Sequence, residues 1–205
     1  MNKLQKTAKT LDTIFNVTYR LTIVLNVLGL LAIALFLFLC LGAPELFGSI
    51  TGSLVTSLDF GGISFRIADS FPCDSSYGTT YFLAGLVIGT LGITLYILMI
   101  RSIRSILAPM KEGLPFSAEV AAGFKTLGRL TILHGFLNQF ATLFGTSYLA
   151  RAYDLSALFV GENIASVSTY HNFDFTFVIT ALILFGLSYI FHYGTELQQL
   201  SDETL

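Results

Sequence analysis

Four apolar runs, at residues 21–42, 81–100, 130–149 and 175–193, alternate with polar connectors of unequal character. About 20 helical residues rising 1.5 Å each cover ~30 Å of hydrocarbon, so each run predicts a membrane-spanning helix. Asn26 is the strongly polar side chain of the first run. The third is the most polar, with Thr131, His134, Asn138, Gln139 and Thr142. The second contains Gly85, Gly89 and Gly92, a smooth face expected to let a neighbouring helix approach closely within the chain.

The connectors predict their own elements. Residues 53–68, SLVTSLDFGGISFRIA, alternate with period two around Gly61 and Gly62. Two glycines supply the positive-φ positions of a tight hairpin, which pairs Phe60 with Ile63 and Leu58 with Phe65 on one face, and Asp59 with Ser64 and Ser57 with Arg66 on the other. An isolated hairpin is marginal, so a third strand is expected at residues 162–170. Before the first run, Lys3, Lys6, Lys9 and Arg20 interleave with Leu4, Ala8, Leu11, Ile14 and Phe15 at helical spacing. That pattern suits either an amphipathic lead-in on the membrane surface or a plain extension of the first helix. In the central connector, 101–129, Pro109 is expected to stop the incoming helix, while Gly113 and Pro115 shape the turn. Ser117 caps the next helix with Glu119 in its first turn, and Val120, Phe124 and Leu127 mark the apolar side of a segment lying along the membrane.

The fold expected is an all-α integral membrane protein: a single four-transmembrane-helix bundle over residues 1–205 with a small extracytoplasmic β-hairpin/sheet. Composition supports the class, since 54% of residues are hydrophobic and only 12% charged, against about 25% charged in soluble domains. A net charge of −2 argues against nucleic acid, which demands a basic face. Basic residues instead set topology. The central connector carries Arg101, Arg104, Lys111, Lys125 and Arg129; with the four before residue 21 they put nine of the eleven basic residues on one side, leaving Arg66 and Arg151 on the other. Lys- and Arg-rich connectors stay cytoplasmic. The expectation is therefore a multi-pass protein of the cytoplasmic membrane with both termini inside and outer loops at 43–80 and 150–174.

Candidate chemistry is sparse. Two cysteines, Cys40 and Cys73, cannot build a metal cluster, and a disulfide between them is left open. No HExxH, GxSxG or nucleotide-binding glycine loop occurs, and His171 with Asp174 falls short of the three protein ligands a zinc site needs. The residues imply no enzyme, cofactor or metal. Membrane depth does group Asn26, Thr94, His134, Asn138 and Ser188 in the cytoplasmic half of the bundle, where polar groups must find partners. The reading preferred is interhelical hydrogen bonding; the sharper one is a ligand or proton site built on His134.

Two stretches at the inner surface, LAPMKEGLPFS at 107–117 and IFHYGTELQQLSDETL at 190–205, resemble the motifs of a bacterial membrane protein family catalogued as domain of unknown function 2975. The chain has His192 where that family commonly has Arg, and Gln199-Leu200 where an acidic pair is common. The resemblance implies the four-span layout and brings no catalytic residue, substrate or cofactor. Its members are often encoded beside a small helix-turn-helix regulator, which implies a regulated membrane accessory. It directs attention to Pro109, Gly113, Pro115, Phe116, Gly194, Glu196, Leu197 and Asp202 as a cytoplasmic interaction surface. There the basic connector and acidic tail are expected to pack together, with Lys111 or Lys125 near Glu196 or Asp202. The partners implied are the lipid bilayer and a membrane or cytoplasmic protein.

Overall fold

The computed structural model describes residues 3–42, 57–60, 63–66, 75–152 and 172–203. Four long helices build it: α1 (Lys3–Gly42), α2 (Ser75–Glu112), α3 (Ala118–Ala152) and α4 (Thr176–Glu203). The expected class is corrected accordingly. The fold is four long helices, and what extended backbone the described residues hold is too slight to add a sheet layer to that architecture. Extended backbone among the described residues amounts to two four-residue strands, β1 (Ser57–Phe60) and β2 (Ile63–Arg66). They pair antiparallel, Ser57 with Arg66 and Phe60 with Ile63, and among the described residues no third strand joins them. A lone ribbon this short has too little to bury to act as a structural layer. Gly61, Gly62 and the strand expected at 162–170 lie outside the described residues.

α1, α2 and α4 are long and apolar enough to cross a membrane. Only 6% of the most apolar window of α1 is buried within the chain. Leu21, Val24, Leu28, Leu31 and Leu35 are all exposed. Such a surface is stable against lipid and not against water, so the chain has the character of a membrane protein. α3 does not meet the same measure: Thr131, His134, Asn138, Gln139 and Thr142 lower its hydropathy, although it is 35 residues long.

Helix ends follow local chemistry. α2 runs through Pro109 and stops only at Glu112, so the expected stop at Pro109 is displaced by a turn. The stop is Gly113, at φ 88°. Its amide donates to the Met110 carbonyl at 3.2 Å, and that of Leu114 to Pro109 at 3.0 Å, the paired C-terminal bonds that favour a left-handed glycine. Ser117 then caps α3: the Val120 amide reaches its carbonyl at 3.1 Å and its hydroxyl at 3.4 Å. The N-terminal stretch is no separate surface helix, since α1 is continuous from Lys3.

The Cα framework divides into two compact units. The first comprises Met1–Val27, Leu91–Asn138 and Phe173–Leu205. Its core is Ile106, Val120 and Leu127, with Met99, Ile103, Met110, Phe124, Leu184 and Phe191 packed around them. Val120, Phe124 and Leu127, the apolar side expected of a segment lying along the membrane, thus pack into this core. Glycines of α3 bring the neighbours close: Gly128 leaves only 2.7 Å between a notional Cβ and the Phe185 ring, Gly135 lies under Phe177, and Gly123 under Ile106. These contacts set α4 beside the first half of α3.

In the second unit, Leu28–Thr90 and Gln139–Asn172, Gly29 accommodates Thr90, whose hydroxyl would sit 2.9 Å from a Cβ there. Tyr81 stacks on Tyr148 at 6.1 Å between ring centroids, and Tyr148 on Phe144 at 5.2 Å. Gly85 and Gly89 meet nothing within 4 Å of a notional Cβ. The close approach expected at these two positions is therefore absent among the described residues. The second unit's close contact of this kind is at Gly29.

Candidate functional site

The connector and the tail meet in the first unit, by apolar packing. Gly194 carries no side chain, and the Phe116 ring fills the space: a Cβ there would stand 2.5 Å from Phe116 Cδ1. Phe116 also lies 5.7 Å from the Phe191 ring, which stacks on Phe124 at 5.2 Å. Two residues from separate motif stretches, Phe116 and Gly194, are thus in direct contact. Aromatic pairs at such separations contribute about 0.5–1.5 kcal/mol beyond the area they bury.

The charge pairing expected between connector and tail takes a different form. Lys111 Nζ donates to Asp12 Oδ2 at 2.7 Å, and Arg104 Nε to Asp12 Oδ1 at 3.2 Å, so one carboxylate of α1 binds two cations of α2. Both bonds, with the Lys111 contribution the larger, hold the Asp12 carboxyl below its ordinary range. The Arg104 guanidinium also lies over the Tyr19 ring, 5.6 Å from its centroid, a cation–π contact. Gly113 leaves room for the Gln5 amide, 2.9 Å from a notional Cβ. This node was missed by sequence reasoning, and the signal was there: Asp12 is the lone acid in a run of Lys3, Lys6 and Lys9 spaced three apart.

The remaining motif residues sort by exposure. Pro109 is buried, and Pro115 is half-buried in the connector. Leu197 is exposed, and Glu196 approaches His192 Nε2 at 3.7 Å one turn away. The Asp202 side chain lies outside what the structure describes. Leu114, Tyr193, Leu197 and Leu200 are all about half exposed or more, so the loop–tail surface shows apolar groups of its own.

The intramembrane polar set is brought together only in part. Asn26 Nδ2 donates to Thr94 Oγ1 at 2.8 Å, joining α1 to α2. Leu137 approaches Gly92 at 4.0 Å from a notional Cβ, which puts the half-buried His134 and the exposed Asn138 near that level on α3. Ser188 is elsewhere. Its hydroxyl donates to the Ala121 carbonyl at 2.7 Å, thirteen residues before His134, about 20 Å along a helix. On the other side of α3, the buried Ser102 hydroxyl donates to the Gly123 carbonyl at 2.9 Å. These two serines tie α2 and α4 to one turn of α3, each such bond contributing on the order of 0.6 kcal/mol in a membrane.

Among the described residues no group of three or more His, Cys, Asp or Glu is placed to hold a metal. Asp174 serves the start of α4 by accepting from the Thr176 amide at 2.8 Å and from its hydroxyl. His171 and Cys73 lie outside the described residues. No protein-family model matches the chain, and neither a curated protein nor a solved structure is significantly similar to it.

Proposed function

We propose that this is a non-enzymatic accessory, sensing or regulatory protein of the bacterial cytoplasmic membrane, crossing it four times with both termini inside. Its working surface is the cytoplasmic face made by the central connector and the tail, which engages a protein partner or reads the state of the membrane. The observation that carries this reading is the seating of Phe116 on Gly194 and Phe191. It joins the two stretches that resemble the family catalogued as domain of unknown function 2975 into one surface, and membership of that family is part of the proposal. Apolar residues left exposed beside it, Leu114, Leu197 and Leu200, lie where the proposed topology puts water, and such patches mark interaction sites.

A photo-crosslinking residue at position 197 in the native membrane tests it. One discrete protein adduct is expected, weakened when Phe116→Ala removes the ring that joins connector to tail, while a crosslinker at Leu182 on the spanning part of α4 gives lipid only. Absence of any adduct at 197, with the chain folded, rejects the interaction reading.

The Asn26–Thr94 bond, with His134 and Asn138 near its level, favours a second reading, a small transporter or ligand-binding bundle. Deleting residues 193–205 separates the two: interaction fails without the tail, whereas flux through the bundle survives.

A further inference from the structure

The first turns of α3 and the middle of α4 enclose an open groove of about 540 Å³. Three alanines of α3 and Phe185 of α4 give it an apolar lining, and Lys125, Tyr189 and His192 supply polar groups. The Ser188 hydroxyl is already engaged by the Ala121 carbonyl. Lys125 differs from Lys111 and Arg104, which are bound to Asp12: it forms no salt bridge among the described residues. Glu196 reaches His192 at 3.7 Å but does not line the groove.

Position along α3 narrows what fits. Lys125 stands five residues before the apolar run that begins at Leu130, about 7.5 Å along the helix axis. That matches the headgroup layer flanking ~30 Å of hydrocarbon in a bilayer about 40–45 Å thick. Tyr189 is 73% exposed, and an amphipathic ring of this kind favours the same layer. An apolar helix docking here would strand the Lys125 ammonium without a counter-charge, which is costly. A phosphate supplies that counter-charge.

We propose that the α3–α4 groove binds an anionic phospholipid of the inner leaflet. The Lys125 ammonium pairs with the phosphate, Tyr189 and His192 donate hydrogen bonds to the headgroup, and the glycerol and upper acyl chain lie against the alanines and Phe185. Basic pockets between spanning helices on the cytoplasmic side are the chemistry that takes acidic headgroups. The site rests on the cytoplasmic placement of residues 101–129 and not on the existence of a protein partner.

The full chain in mild detergent, titrated with phosphatidylglycerol or phosphatidylcholine and read by native mass spectrometry, tests this. Phosphatidylglycerol is expected to be retained over phosphatidylcholine. Lys125→Gln lowers that retention about fivefold, the effect of removing one Lys at a membrane surface, and Lys125→Arg restores it. Should Lys125→Gln unfold, Ala118→Leu narrows the groove at an exposed position and is expected to lower retention at unchanged charge. Equal retention of the two lipids, or wild-type retention in Lys125→Gln or Ala118→Leu, overturns the proposal. Displacement of phosphatidylglycerol by millimolar inorganic phosphate overturns it too, since the site would then be a phosphate site and not a lipid site.

Discussion

The ring of Phe116 rests on Gly194, with a Cβ at that position only 2.5 Å from Phe116 Cδ1. One residue is in the connector before α3 and the other near the end of α4, so the contact makes the two stretches a single surface. Gly194→Ala must push the ring away. Because Phe116 is 44% exposed, the ring can swing outward, and the cost is the lost contact and not a strained core. A destabilisation of about 1 kcal/mol is expected, read as a lowered Tm in detergent. Phe116→Ala should cost a similar amount, and the double variant should cost less than the sum. Strict additivity would show that the two residues do not act as a pair.

The glycines of α3 should be far less tolerant than those of α2. Gly128 and Gly135 lie beneath Phe185 and Phe177, rings held between helices, whereas Gly85 and Gly89 have open space where a Cβ would go. Gly128→Ala and Gly135→Ala are expected to destabilise by about 1–3 kcal/mol through overpacking. Gly85→Ala and Gly89→Ala should be neutral or slightly stabilising, since Ala favours the helix by up to about 1 kcal/mol over Gly. Thermal melts of the four single variants decide it, and a reversed order would sink the packing described.

These contrasts show what the residues reveal before a structure is known. Run length and the bias of Lys and Arg made the helical, membrane-embedded character readable, because both reflect the chain's dealings with solvent. The Ser117 cap was readable as a local feature of a few neighbouring residues. Which glycines carry close packing was not, since a small residue is equally small whether or not an aromatic ring comes to rest on it. Ser188 was assigned to the level of His134 by counting from the ends of apolar runs; its bond to the Ala121 carbonyl reflects how far α4 slides along α3, which hydropathy does not encode. Asp12 was overlooked because surface carboxylates are common and its partners, Arg104 and Lys111, are about 90 to 100 residues away.

Asp12 should anchor the N-terminal part of α1 to α2. Asp12→Asn keeps the size and removes the charge, leaving Arg104 and Lys111 without their shared partner. A loss of about 1–2 kcal/mol is expected for these charge-assisted, partly buried bonds, seen as faster proteolysis near Lys9. The pH dependence has a definite sign. A carboxyl lowered in the folded state contributes stability above its unfolded pKa of about 3.9, and this is lost as pH falls through the lower folded value. Proteolysis resistance at the N-terminal segment should therefore hold at pH 5 to 7 and fail under stronger acid in the wild type only. It should also weaken with salt, because the pair is partly exposed.

Whether α3 crosses the bilayer decides the topology, and two reporter positions settle it. α3 is 35 residues long, about 52 Å as a helix, some 20 Å more than the hydrocarbon requires. Its first third, with Glu119, Lys125 and Arg129, can therefore lie at the inner surface while residues 130–149 cross. Polar side chains in that crossing are tolerable where they bond to neighbouring helices. The five cations of residues 101–129 favour retention inside, whereas residues 150–174 hold only Arg151. A reporter fused after Pro115 is expected to read cytoplasmic and one after Asn172 extracytoplasmic. If both read cytoplasmic, α3 does not cross and the chain spans three times, which would put Phe116 and Gly194 on opposite sides and overturn both their contact and the cytoplasmic working surface.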